Sequence, residues 1–138
     1  MPKLPVSANL VFFYYNDLPK AMAFYAEVMG LPLIVDQGFC KIYEITAQSY
    51  VGLVDAEHGT HKPNAAKPVI LSFVTPQVDE WYTYLLAQGV PMLHPLGTSE
   101  KIGVRGFMAL DPEGYTLEFE HFLSQPRNEA MLAQLSKR

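Results

Sequence analysis

The stretch FYYNDLPKAMAFYAEVMGLP, residues 13–32, is matched later in the chain by FVTPQVDEWYTYLLAQGVP, residues 73–91. Each stretch has the pattern of a strand, then a helix ended by glycine, then a Leu-Pro or Val-Pro entry into another strand. The two lie about 60 residues apart in a chain of 138 residues, which indicates two related units. Repeated units commonly bury a shared face or frame a cleft. The duplication therefore predicts that function lies where the halves meet.

The first stretch sits inside a longer alternation of strand and helix patterns. Residues 9–15 are apolar, aromatic or β-branched in the way a strand requires. Residues 17–29 follow as a helix, because Asp17 can cap its first turn and Gly30 can take the left-handed conformation at its end. Three short strands are predicted after it, over residues 32–37, 40–46 and 49–54. The first unit therefore has the order β-α-β-β-β.

The second unit repeats this order. It is predicted to contain a strand over 68–75, a helix over 77–88, and strands over 91–96, 104–110 and 115–122. Between the second and third of its strands, Gly97–Gly103 is polar and bounded by glycine, which predicts a loop that could move over a cleft.

These patterns predict one α+β domain over 1–138, with a curled mixed sheet. Its predicted parts are module 1 (6–55), a polar linker (56–67), module 2 (68–122) and a short C-terminal helix (124–138).

Composition narrows the class of protein. The formal charge of −4 and the ten scattered Lys and Arg residues give phosphate backbones little to bind, so no nucleic-acid partner is expected. The sequence has no secretory leader and no apolar run of membrane-spanning length, and its single cysteine, Cys40, excludes an internal disulfide. A cytoplasmic protein with no membrane partner is predicted.

The most specific local motif is GVRGFMALDPEGYTLEFE, residues 103–120. Asp111-Pro-Glu-Gly114 is a tight turn, because aspartate can bond the backbone two residues on and glycine supplies a positive φ. Strand alternation after the turn puts Glu118 and Glu120 on one face.

Together with DLPKA (17–21), FY (24–25) and MGL (29–31), this motif resembles the vicinal oxygen chelate superfamily of glyoxalases, bleomycin-resistance proteins and extradiol dioxygenases. The resemblance covers residues 6–122 and includes both halves. It implies paired β-α-β-β-β modules whose sheets curl into an open cup, and it implies a homodimer. In metal-using members, ligands on the first and last strands of the modules hold a divalent ion in the cup.

The metal pattern implied by this resemblance is mostly absent. Its two histidine positions are occupied by Leu10 and Ile70, and its carboxylate position in the first module lies near Gly52. Glu118 alone matches. A divalent ion needs several nitrogen or oxygen donors, so no metal site and no cofactor are predicted.

The four histidines are not predicted to replace the missing ligands. His58 and His61 fall in the polar linker, His94 falls beside Pro95 at a strand end, and His121 alternates with the core residues of the last strand. No triad of ligands is expected from them.

The candidate ligand-binding residues are apolar or polar groups that strand parity or the resemblance places toward the cup. Aromatic residues could bind a small molecule or could fill the space that a metal leaves, and Arg105 could reach an anionic ligand or pair with a surface acid. The full set is Phe12, Tyr14, Ser72, His94, Arg105, Phe107 and Glu118.

Two main functions follow from the resemblance. The first is a metal-free protein of the bleomycin-resistance kind that binds a small aromatic or cationic molecule, with Glu118 or Glu120 as counter-ion. The second is a divergent lyase or dioxygenase that uses a divalent metal through ligands the sequence does not reveal. The absence of histidine at positions 10 and 70 favours the first, while an accessory dimer without a ligand stays open.

Overall fold

The computed structural model describes residues 4–137. The chain divides into two compact units, with the division between Ala65 and Ala66. Each unit contains one open, mixed four-stranded sheet with a helix on one of its faces. The α+β fold class and the β-α-β-β-β order predicted from the sequence are confirmed in both units.

In the first unit the central pair of strands carries the helix. The elements are β1 (Asn9–Tyr15), α1 (Leu18–Ala23), β2 (Leu33–Asp36), β3 (Cys40–Thr46) and β4 (Ser49–Asp55). The strand order is β1-β4-β3-β2, with β1 parallel to β4. Asp17 caps α1 by accepting a hydrogen bond from the Lys20 N–H at 3.1 Å. A π-helical turn over Phe24–Val28, which the sequence did not predict, continues α1.

The second unit has the same arrangement. Its elements are β5 (Ile70–Val74), α2 (Val78–Ala87), β6 (Met92–Ser99), β7 (Val104–Leu110) and β8 (Thr116–Phe122). The strand order is β5-β8-β7-β6, with β5 parallel to β8. After β8 a 3₁₀ turn over Pro126–Asn128 leads into α3 (Glu129–Leu135). The predicted C-terminal helix is therefore shorter than 124–138, and Arg138 lies outside the described residues.

The predicted loop over Gly97–Gly103 is partly wrong. Its first three residues belong to β6, where Gly97 pairs with Gly106 and Ser99 pairs with Val104. The reason is that β7 extends as far as Val104 and offers backbone partners to these residues. Only the four residues before β7 form a turn.

The core of each unit lies between its sheet and its helix. Strand alternation places Leu117 and Phe119 of β8 toward α2, and both are 0% exposed. Phe119 stacks on Phe107 with ring centroids 4.9 Å apart, and Trp81 of α2 lies 5.1 Å from Phe119. Side chains that alternate the other way point to the face opposite the helix, which we call the open face of each sheet.

The predicted tight turn fixes the start of β8. The buried Asp111 carboxylate accepts hydrogen bonds from the N–H groups of Glu113 at 3.0 Å and Tyr115 at 2.9 Å. Gly114 has a φ of 88°, which only glycine adopts without strain. The turn thereby sets which residues of β8 face away from the core.

Within residues 4–137, no helix is long and apolar enough to cross a membrane.

Candidate functional site

The open face of the second sheet carries two carboxyl groups on its central strand. Glu118 and Glu120 alternate with the buried residues of β8, so both point away from α2. Glu118 is paired with Ser72 on β5 and with Met108 on β7, while Gly106 is paired with Glu120. Glu118 and Glu120 therefore share one face of β8, as strand alternation in the sequence predicts.

These carboxyls border a cavity of about 230 Å³, which we call the acidic pocket. It lies between β6, β7 and β8. The residues that line it include His94, Thr98, Ser99, Met108, Glu118 and Glu120. Apolar walls with a few converging polar groups are typical of small-molecule sites.

The Glu118 carboxyl holds its proton to a higher pH than an ordinary glutamate does. Partial burial raises the pKa of Glu118 to about 7, helped by a hydrogen bond to Glu120 and by the charge of Glu120. The Ser72 hydroxyl donates to Glu120 Oε2 at 2.5 Å, and its hydrogen bonding to Glu118 acts in the opposite direction on that pKa. Within the described part of the chain, neither carboxyl forms an ion pair with a lysine or arginine. The pocket therefore has an acidic pair without a cation.

Gly106 keeps the floor of the acidic pocket free of a side chain. A Cβ added at this position would lie 2.3 Å from the carbonyl oxygen of Phe119, which backbone packing does not allow. Because Gly106 is the β7 partner of Glu120, no side chain from that position screens the carboxyl. The close approach of β7 to β8 therefore explains the second glycine of the GVRGF pattern, Gly106.

Arg105 was predicted either to reach an anionic ligand or to pair with a surface acid, and the structure shows such a pairing. Its side chain forms two hydrogen bonds of 2.9 Å to the Asp79 carboxylate of α2, and a third to Thr98 Oγ1. The pairing lowers the pKa of Asp79 and raises that of Arg105. The alternation of β7 turns Arg105 toward the helix side, so the alternative of pairing with a surface acid is correct.

Phe107 was also predicted to face the ligand, but its ring belongs to the core. It is 3% exposed, stacks on Phe119, and meets the ring of Tyr82 edge-on at 5.0 Å. Its position on β7 borders the acidic pocket. The physical reason for the error is parity, since Phe107 and Glu118 lie on opposite faces of neighbouring strands.

The register places His94 and Ser72 on the same face of the second sheet as Glu118. His94 is exposed and lines the pocket from β6, between two irregularities in the pairing of β6 with β7. Ser72 lies on the edge strand β5 and contacts the carboxyl pair through its hydroxyl. Of the seven predicted residues, His94 and Glu118 line the acidic pocket, Phe107 borders it from β7, and Ser72 reaches the neighbouring carboxyl of Glu120 from β5.

The open face of the first sheet carries a separate, aromatic pocket of about 220 Å³. Phe12 and Phe39 line it and are each 44% exposed. Tyr14 is half-buried beside them, with its ring 5.4 Å from that of His61. The remaining lining residues are Gln37, Cys40, Val54 and Thr60. Phe12 and Tyr14 therefore share a pocket, but each unit has a pocket of its own.

The residues present do not fit the divalent ion of metal-using relatives. Leu10 and Ile70 are 37% and 50% exposed on the open faces and carry no donor atom. At Gly52 a Cβ would lie 2.7 Å from the ring of Phe12, so the ring occupies the space that a metal-binding side chain would need. Glu118 is left as one oxygen ligand, which is fewer than such an ion requires.

One other group of potential ligands was missed by the sequence analysis. Asp55, Glu57 and His58 bring their ligand atoms within 4.8 Å of one another just after β4. The expectation that no histidine joins such a group was therefore wrong for His58. Glu57 and His58 are exposed, however, and Asp55 already accepts a hydrogen bond from the Glu57 N–H at 2.9 Å. These contacts are those of a capped turn.

Several residues of the pockets were not among the predicted site residues. The parity of β8 was sufficient to add Glu120 to Glu118. By contrast, Gln37 and Phe39 lie around Gly38 in the turn between β2 and β3, and Thr60 lies in the linker. No periodic pattern marks such positions, because their direction is set by turn geometry.

Comparisons with known proteins agree with this fold. The family model of the Glyoxalase/Bleomycin resistance protein/Dioxygenase superfamily matches residues 7–119. A lactoylglutathione lyase from Agrobacterium tumefaciens is 23% identical, with a TM-score of 0.69 over 86% of this chain and 96% of that one. TioX from Micromonospora sp. ML1 is 22% identical, with a TM-score of 0.70 over 86% of this chain and 100% of that one.

A third similar structure is a glyoxalase/bleomycin resistance protein/dioxygenase from Alicyclobacillus acidocaldarius. It is 17% identical, with a TM-score of 0.69 over 88% of this chain and 95% of that one. At these identities the structures support the fold alone, whereas the family model matches most of the sequence. This chain belongs to the glyoxalase/bleomycin resistance protein/dioxygenase superfamily.

Proposed function

We propose that this protein binds a small organic cation in the acidic pocket without the help of a metal ion. The observation that carries the proposal is the pair formed by Glu118 and Glu120, which share one face, one pocket and one hydroxyl donor. An organic cation would supply the positive charge that no lysine or arginine of the described chain supplies.

The walls of the pocket suit a molecule that is partly apolar. Met108 and Pro95 offer apolar surface beside the carboxyls, while Ser99 offers a hydroxyl. A volume of about 230 Å³ is small for a complete ligand site. It is sufficient for the charged end of a ligand, with a ring or short chain attached.

The superfamily includes both enzymes and resistance proteins, and the residue types at the metal positions favour a binding role. Leu10, Gly52 and Ile70 cannot donate to an ion. A reaction that depends on a chelated metal has no support from these positions. Binding through Glu118 needs none of them.

The proposal is tested with benzamidinium, a planar aromatic cation, and with the neutral benzamide as its matched control. Binding would be followed by ¹H–¹⁵N NMR titration at pH 8 in the presence of a chelator. We expect benzamidinium to shift the amide signals of β6, β7 and β8, and to bind at least about tenfold more tightly than benzamide.

The variants separate the pocket from general surface charge. Glu118→Gln should weaken benzamidinium binding by about tenfold or more, because it removes one carboxylate. Glu100→Gln removes an exposed carboxylate outside the acidic pocket and should leave the affinity unchanged. Equal affinities for benzamidinium and benzamide, or equal losses in the two variants, would contradict the proposal.

A further inference from the structure

Glu118 and Glu120 lie two residues apart on one face of β8 and border the same pocket, and this placement limits the charge that the two groups can hold together. An ionised carboxylate can only accept hydrogen bonds, so two carboxyl groups can bond to one another only when one of them holds a proton. Side chains two residues apart on one face of a strand begin about 7 Å apart, and the glutamate side chains are long enough to meet. Two carboxyls that border one pocket, with no lysine or arginine of the described chain paired to them, favour a state in which they hold one proton between them. The raised pKa of Glu118 agrees with this.

The surroundings of the pair favour keeping that proton. On the side of β5 the polar neighbour is Ser72, a neutral hydroxyl, flanked by Ile70 and Val74. On the side of β7 the neighbours are Gly106 and Met108, which carry no charge. Two adjacent carboxylates in such a place repel one another, and one of them takes up a proton instead.

Beyond the pair itself, one more titratable group faces the acidic pocket among the described residues. This is His94 on β6; the neighbouring Thr98 and Ser99 do not titrate. Arg105 and Asp79 are bonded to one another on the opposite side of the sheet. Glu118, Glu120 and His94 are therefore the three groups that the experiment has to tell apart.

We propose that the acidic pocket takes up an organic cation in exchange for the proton that Glu118 and Glu120 share. The inference rests on the proposed function and adds the charge state in which the site works. In the exchange the O–H bond breaks, the proton passes to water, and N–H groups of the cation donate to the two carboxylates. No electron is transferred, and the total charge of the pocket is the same before and after.

The exchange favours one class of ligand. An amidinium or guanidinium group presents parallel N–H donors and can bond two carboxylate oxygens at once. Such a group takes the place of the shared proton, and its positive charge offsets the repulsion between the two carboxylates. A quaternary ammonium ion has no N–H group, so it cannot replace the hydrogen bond and should bind more weakly.

The pH dependence of the affinity measures the exchange. Below the pKa of Glu118, which is about 7, each cation must displace a proton, so affinity should rise about tenfold per pH unit. Benzamidinium stays charged throughout this range. We expect its dissociation constant to fall by at least about tenfold between pH 5.5 and pH 8, and about one proton to be released per cation bound at pH 6 in weakly buffered solution.

Two variants show which side chain holds the proton that is released. Glu120→Gln removes the carboxyl with which Glu118 shares it, so proton release at pH 6 should fall well below one per cation, with burial alone left to raise the pKa of Glu118. His94→Gln should leave both the release and the pH dependence intact. If His94→Gln abolished them, the proton would belong to the histidine and the proposal would be wrong. Carboxyl ¹³C NMR of the unmodified protein gives a second readout, in which adding benzamidinium should move the titration of Glu118 to lower pH.

The two proposals fail in different ways. Binding that is equally tight at pH 5.5 and pH 8 would overturn the exchange and leave cation binding in place. An absence of benzamidinium binding at both pH values would overturn both.

Discussion

Glu118 is the one residue that matches the metal pattern implied by the resemblance, and it shares its face of β8 and its pocket with another carboxyl group, Glu120. The pKa of Glu118 is raised from 4.5 to about 7, so between these two pH values the folded state holds a proton that the unfolded state has lost. The free energy of unfolding must therefore fall as the pH rises through this range.

Glu118→Gln should remove that loss of stability. At pH 8 the variant should be more stable than the parent by about 1 to 2 kcal/mol, which allows for screening in an open pocket. At pH 3, where the parent carboxyl is protonated in both states, the difference should be close to zero. Urea denaturation at the two pH values would measure this, with Glu100→Gln as the control that shifts neither. A large loss of stability at both values would show that Glu118 is needed as a structural acceptor.

Asp111 is a second residue whose role is set by hydrogen bonds. Its buried carboxylate accepts from two backbone N–H groups of the turn before β8. Asp111→Ala should lower the free energy of unfolding by about 2 to 4 kcal/mol, because those donors lose their partner. Asp17→Ala removes an exposed helix cap instead and should cost about 1 kcal/mol. Chemical denaturation of both variants would test the ranking, and equal losses would contradict it.

The sequence predicted the direction of the side chains on β8 but not the direction of those on β7, for a physical reason. Alternation along β8 was sufficient to place Glu118 and Glu120 on one face, because β8 is regular and its other face is buried. On β7 the pairing with β8 turns Arg105 and Phe107 toward α2, and the sequence of β7 alone does not indicate this direction. Cross-strand register is set by pairing, which a single strand pattern does not contain.

At the level of elements, β7 and β8 approach more closely than any side chain at position 106 allows. The predicted Cβ contact of 2.3 Å at Gly106 is to backbone, so it cannot be relieved by a rotamer change. Gly97, its cross-strand partner on β6, has nothing within 4 Å of the added Cβ.

Gly106→Ala and Gly97→Ala therefore form a matched pair. The first should destabilise the protein by about 2 to 4 kcal/mol and disturb the amide signals of β7 and β8. The second should change stability by no more than about 0.5 kcal/mol. Urea denaturation with ¹H–¹⁵N spectra would measure both, and similar effects at the two glycines would show that the close approach does not matter for stability.

The elements themselves were largely predictable from the sequence. Glycine and aspartate marked their ends, as with Gly30 at a φ of 72° and Gly89 at a φ of 76°. The extension of β6 to Ser99 was not predictable from composition, because GTS is typical of a loop and becomes a strand only through pairing with β7. The π-helical turn after α1 carried no recognised signal.

At the scale of the whole molecule, the exposed apolar surface predicts self-association. The edge strand β2 exposes Leu33, Ile34 and Val35 by 45%, 50% and 41%, and α3 exposes Met131 and Leu135 by 41% and 36%. Edge strands of this kind are usually covered. We predict a symmetric homodimer, the commonest closed assembly.

Sedimentation equilibrium at micromolar concentration would test the assembly. The expected mass is twice the 15.5 kDa of one chain. Replacing Ile34 by lysine should favour the monomer, whereas Lys20→Glu on the exposed side of α1 should not. A single species at 15.5 kDa would contradict the prediction.

The central claim is that the acidic pocket binds a cation and does so without a metal. Calorimetric titration with benzamidinium at pH 8 tests it most directly, comparing chelator-treated protein with protein dialysed against Zn²⁺, Ni²⁺, Mn²⁺ or Fe²⁺. We predict the same affinity in every preparation, and far less than one ion per chain by elemental analysis. Stoichiometric metal, together with binding that is lost after chelation, would contradict the account.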